Sequence, residues 1–99
     1  SARLSQAALE TLALIAYKQP VIKSELEEIR GVNCDYAIQK LLEKDLIAIS
    51  GRSEGPGRPL LYSTTDRFMD YFGIRALTDL PKIKDFREME NTVGAAQEQ

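Results

Sequence analysis

The chain contains no histidine and a single cysteine, and no stretch of it is apolar for long. Without histidine, a chain loses its commonest general acid–base and metal-ligand group at neutral pH. One cysteine permits no disulfide within the chain, and a reducing cytoplasm is the expected setting. No apolar run approaches the roughly 20 residues that span a bilayer. The start, "SARLSQAALE", has no apolar signal core and reads as the approach to a helix. Neither charge sign is in marked excess: 13 Lys and Arg stand against 15 Asp and Glu. That balance does not suit a nucleic-acid coat protein. No nucleophile is paired with a base, and no cysteine–histidine cluster is present to hold zinc. The carboxylates, Glu27, Glu28 and Asp70 among them, fall on helix faces expected to be solvated. The chain is therefore expected to be no enzyme and to use no cofactor or metal.

What is present is a globular composition, 43% hydrophobic and 28% charged over 99 residues. That is one domain's worth of chain. A domain this small buries roughly 60 to 65% of its unfolded surface, so modest stability or help from a partner is expected.

Residues 5–18, "SQAALETLALIAYK", repeat apolar side chains every three or four positions, predicting a helix capped by Ser5 and ended at Pro20. "SELEEIR" begins with Ser24 and carries Glu27 three positions later, predicting a capped second helix stopped by Gly31. Asn33 is placed to cap a third helix over residues 34–44, with Ile38, Leu41 and Leu42 inward. A short turn with a glycine between two helices is a helix-turn-helix signature. Residues 46–50 and 59–63 then read as strands, and "TTDRFMDYFGI" as a helix capped by Thr65 and closed by Gly73. Residues 82–99 read as a polar tail, partly helical or disordered, after a domain of residues 1–81. The expected fold is mainly α with a small antiparallel β-hairpin, a winged helix-turn-helix.

The segment "SGRSEGPGRPLLYSTT" joins the two strands with glycine, proline and arginine. A phosphate-binding loop needs its glycines between a strand and a helix, followed by Lys-Ser or Lys-Thr. Here Arg58-Pro59 follows and a strand comes next, so the segment reads as the wing, with Gly51, Gly55 and Gly57 serving turns. A wing can touch DNA, and Arg52, Arg58 and Lys40 are the candidate phosphate contacts. The charge count opposes that role. Lys40 and Lys44 are balanced by Asp35 and Glu43 in the third helix, and residues 1–64 carry eight cations and eight anions. DNA readers gain most of their affinity from phosphate contacts. Two classes thus stand side by side, a protein-docking module and a DNA-binding regulator or chromosome factor.

Candidate partner-binding residues are Tyr36, Arg58, Tyr62 and Tyr71. Tyr62 and Tyr71 fit either an interface with a wet hydroxyl or a half-buried core position. Cys34 opens the third helix, where the dipole lowers a thiol pKa, or it is simply a small residue at a helix start.

The stretches "LSQAALETLALIAYKQPV", "IRGVN" and "GRPLLYSTTDRFMDYFGI", in this order from about Leu4 to Leu80, resemble the carboxy-terminal winged-helix domain of the segregation and condensation protein B family. The matching motifs are Tyr17-Lys18-Gln19-Pro20, Arg30-Gly31-Val32-Asn33, and Gly57-Arg58-Pro59 with Leu61-Tyr62, Thr64-Thr65 and Phe72-Gly73. Cys34 departs from the small polar residue expected there. The resemblance implies a non-enzymatic subunit with two winged-helix domains, of which this chain holds the second. Homodimer formation is associated with the first. It further implies a kleisin partner, segregation and condensation protein A, and through it the heads of the SMC ATPase. The implied role is chromosome condensation and partition in the cytoplasm, at the nucleoid, with direct DNA binding weak or absent.

Overall fold

The computed structural model describes residues 3–94. Helix α1 (Gln6–Lys18) leads through cis Pro20 into strand β1 (Val21–Ile22), and helices α2 (Lys23–Arg30) and α3 (Asp35–Glu43) follow. Strands β2 (Ile47–Arg52) and β3 (Leu60–Thr64) precede helix α4 (Asp66–Phe72). Two short helical turns (Leu77–Asp79 and Ile83–Asp85), helix α5 (Phe86–Met89) and a last wide turn (Glu90–Gly94) complete it. This is a winged helix-turn-helix, with the glycine–proline segment as the wing.

Local chemistry accounts for most element ends. Ser5 accepts from the Ala8 amide at 3.1 Å and opens α1. Thr65 does the same for α4 through the Phe68 amide. Gly31 closes α2 with φ +74°, a left-handed angle that side chains with a β-carbon resist.

Two caps differ from the sequence reading. The α2 helix begins at Lys23, directly after β1, so Ser24 already lies in its first turn and makes no capping bond. Glu27 turns instead to the Cys34 amide, at 2.9 Å, and ties α2 to the start of α3. Asn33 does accept from the Asp35 amide at 2.8 Å, while Cys34 is the capping residue of α3 by backbone angle.

The sheet has three antiparallel strands in the order β1-β3-β2, one more than the expected hairpin. Val21 pairs with Tyr62 and Ile22 with Leu61. A two-residue strand carries no legible alternation, so the pattern did not reveal it. Gln19 fixes this corner: its Oε1 accepts from the Thr64 amide at 2.9 Å and from the Thr64 hydroxyl at 3.0 Å. A bulge near Ser50 shifts the β2–β3 register between Ile49 and Gly51.

The core lies between the three-helix body and the sheet, with Leu12, Ile15, Leu26, Leu41, Leu46 and Ile47 all fully buried. The segment after Pro81 contains helix α5, and its start packs on the body. Phe86 is fully buried and meets Phe72 edge-on at 5.3 Å. Residues 95–99, the end of that segment, lie outside the described residues.

Candidate functional site

Helix α3 separates two surface depressions. On one side is a trench of about 430 Å³ between α3 and the wing, floored by Ile38, Leu42, Leu60 and Tyr62. On the other is a cleft of about 340 Å³ between α3, the α2–α3 turn and the start of α1, where Tyr36, Lys40 and Lys44 stand over Leu4, Ala8 and Ala37. Their α3 residues sort by helical spacing: Ile38 and Leu42 face the trench, and Tyr36, Lys40 and Lys44 face the cleft.

The predicted site residues divide between these places. Tyr36 is 70% exposed, and the Lys40 ammonium lies 5.4 Å from its ring centroid. Tyr62 is buried in the body and shows only one side to the trench. Tyr71 is buried, and its hydroxyl donates to Glu90 at 2.7 Å, which is the core alternative of its expectation. Cys34 is fully buried and acts as a core side chain at the helix start.

At the wing, Arg52 donates to the Arg58 carbonyl at 2.8 Å, so it braces the loop. Arg58 has φ +44°, and its guanidinium makes no hydrogen bond or ion pair among the described residues. A strained backbone with an unengaged cation at a loop tip is a functional candidate.

Three surface lysines are paired with carboxylates. Lys23 Nζ meets Asp35 Oδ1 at 2.6 Å, Lys18 meets Glu25 at 3.3 Å, and Lys40 meets Glu43 at 3.6 Å. The hydrogen bond from Lys23, with a second from Asn33, holds the Asp35 carboxyl below the ordinary aspartate range. The same bond from the other side raises Lys23, with the Asp35 charge adding to it. Both residues of this pair line the trench.

Three structural residues escaped the sequence reading. Arg30 binds α2 to α1 through the Ala7 carbonyl (3.0 Å), the Thr11 hydroxyl (2.8 Å) and Glu10 (3.2 Å). Gln19 holds the sheet corner. Glu90 is fully buried and accepts from the Leu4 amide at 2.8 Å, from Tyr71 and from Arg87. Arg30 and Gln19 stand inside recognisable motifs, but a motif does not say what its side chain grips. Among the described residues, no group of three or more acidic, cysteine or histidine side chains is placed to hold a metal. No helix there is long and apolar enough to cross a membrane.

Comparison with known proteins adds a family to this geometry. The chain is 55% identical over 91 residues to segregation and condensation protein B of Bacillus mycoides, a match covering 92% of this chain and 48% of that protein. It is 62% identical over 79 residues to the same-named protein of Brevibacillus brevis, covering 80% of this chain and 41% of that one. The chain thus spans just under half the length of these curated relatives. Its fold is similar to the crystal structure of ScpB from Mycobacterium tuberculosis, with TM-score 0.70 and 36% identity over 76% of this chain and 46% of that chain. It also resembles a conserved hypothetical protein from Chlorobium tepidum, with TM-score 0.67 and 48% identity over 70% of this chain and 43% of that chain. A family model described as the segregation and condensation complex subunit ScpB matches residues 1–83, most of the sequence, and the chain belongs to that family.

Proposed function

We propose that this chain is a non-enzymatic docking module of a segregation and condensation complex. It binds the kleisin subunit and, through it, the SMC ATPase heads, and so supports chromosome condensation and partition at the nucleoid. Dimerisation of the full-length protein through the family's other winged-helix domain is part of the same proposal.

One observation within the chain carries the reading. On the helix that reads DNA in other winged helices, Lys40 is paired with Glu43 and Asp35 with Lys23, while apolar side chains line depressions on both of its flanks. A face grooved by apolar side chains suits a protein segment that buries its own apolar side chains, whereas a polyanion would leave those grooves unfilled. Arg58 is the observation favouring the second reading, a DNA contact through the wing, because its guanidinium is unengaged among the described residues.

The test is a calorimetric titration of the full-length protein at physiological salt with two ligands, the middle segment of its kleisin and a duplex of about 20 base pairs. Kleisin binding without duplex binding is expected. Duplex binding that weakens steeply with salt, with no kleisin binding, would overturn the proposal. In that case Arg58→Ala would lower the logarithmic salt slope by about 0.9 for each phosphate that the arginine had neutralised.

A further inference from the structure

The two depressions beside α3 are not equivalent. The trench is lined by the 2.6 Å Lys23–Asp35 pair, and Tyr62 within it is only 7% exposed. The cleft carries the more exposed side chains: Tyr36 is 70% exposed and Val32 is 53% exposed. Two large apolar side chains held out in water beside a concave surface mark an interaction site.

The cleft also has a direction and a sign. Tyr36, Lys40 and Lys44 recur every four residues, so they form one stripe along α3, about 12 Å long at 1.5 Å per residue. The facing wall is the first turn of another helix, α1, and the floor between them is small and apolar, with Ala8 and Ala37. A furrow between two helices, floored by alanine, accepts the ridge of a third helix. Among the described residues no carboxylate lines the cleft. The Lys44 ammonium has no ion pair among those residues, and Lys40 has only an exposed pair with Glu43, which a partner carboxylate can replace.

We propose that the α1–α3 cleft is the seat of an amphipathic helical segment of the partner, about two to three turns long. The segment carries an apolar stripe that packs on Tyr36 and the alanine floor, and an acidic flank that meets Lys40 and Lys44. This rests on the docking reading above and assigns its site and ligand chemistry. A DNA duplex fits less well, since it presents phosphates and offers no apolar ridge to fill the floor.

The experiment measures binding of the kleisin middle segment to the full-length protein and to three variants. Tyr36→Ala is expected to weaken binding about tenfold or more, as loss of an aromatic anchor does. The double reversal Lys40→Glu/Lys44→Glu is expected to weaken it similarly and to flatten the salt dependence of the association rate. Gln39→Arg, which crowds the trench on the opposite flank, is expected to bind like the unaltered protein. Unchanged thermal unfolding of each variant confirms that the fold is kept. Normal binding by the cleft variants, with or without loss in Gln39→Arg, overturns the inference and leaves the docking reading intact. It is overturned as well if the lysine reversals abolish duplex binding and leave the kleisin segment unaffected. Absence of binding by the unaltered protein overturns the docking reading and this inference with it.

Discussion

Glu90 shows how much one side chain can hold. Its carboxylate is fully buried, yet it accepts from Leu4 at one end of the chain and from Tyr71 and Arg87 near the other. Removing it takes the acceptor from the buried Leu4 amide, one acceptor from the Tyr71 hydroxyl, and the carboxylate partner from Arg87. Glu90→Ala is expected to destabilise the protein by about 3 kcal/mol in urea unfolding, and Glu90→Gln by less, because the amide oxygen still accepts. No local pattern in the sequence announces this role, since its partners stand 86, 19 and three positions away. Tyr71 was ambiguous for the same reason: nothing nearby in sequence reveals what meets its hydroxyl. Arg58 offers a cleaner separation of stability from function. Its left-handed φ of +44° costs an arginine about 1 kcal/mol and a glycine almost nothing. Arg58→Gly is expected to leave the melting temperature unchanged or raise it by a few degrees. A clear fall in that temperature would mean that the side chain holds the wing together.

At the scale of elements, the helix-turn-helix is set by a few local signals that the sequence shows openly. Ser5, Thr65, Gly31 and Gly73 each mark a helix end by its own chemistry, and the structure uses all four. Strand β1 and the real partner of Glu27 were not legible, because both depend on a neighbour distant in the chain or across a turn. Two glycines test this logic against each other. Gly31 and Gly73 have nearly the same φ, +74° and +69°, but a β-carbon at Gly31 would meet nothing within 4 Å, whereas at Gly73 it would press on Val93 at 3.2 Å. Gly31→Ala is expected to cost about 1 kcal/mol from backbone strain alone, and Gly73→Ala measurably more, when both are compared by denaturant midpoint. The Lys23–Asp35 pair links the first turns of α2 and α3 and sets a pH dependence. Asp35 titrates below its unfolded value, so its contribution is present above about pH 4 and is lost as pH falls through the folded pKa. Lys23 titrates above its unfolded value, so its contribution is present below about pH 10 and is lost as pH rises through the folded pKa. Carbon-detected NMR titration of Asp35 should therefore give a midpoint below that of an ordinary aspartate, and Lys23→Met should raise it part of the way back, because the Asn33 hydrogen bond remains.

For the whole molecule, the question is where the cooperative unit ends. The family match stops at residue 83, and the composition turns polar after Pro81, so sequence alone draws the boundary there. Packing draws it later. Phe86 joins Phe68 and Phe72 in one aromatic cluster, with centroids 6.3 and 5.3 Å from its own, and the Tyr17 hydroxyl donates to the Pro81 carbonyl at the crossing point. The polar residues around Phe86 hid this: one aromatic and one glutamate point inward while their neighbours face water, which is too sparse a pattern to read as a helix face. A buried phenylalanine removed to alanine costs about 3–5 kcal/mol, against a total on the order of 5–15 kcal/mol for a domain of this size. Truncation after Pro81 strips that ring and the Glu90 network together, and exposes Phe68 and Phe72 to water. The truncated protein is therefore expected to unfold at a much lower urea concentration, and with a smaller m-value because less surface is buried in the native state. If its midpoint and slope equalled those of the full chain, residues 82–99 would be a solvated tail after all. The domain would then close at Pro81, as the polar composition suggests.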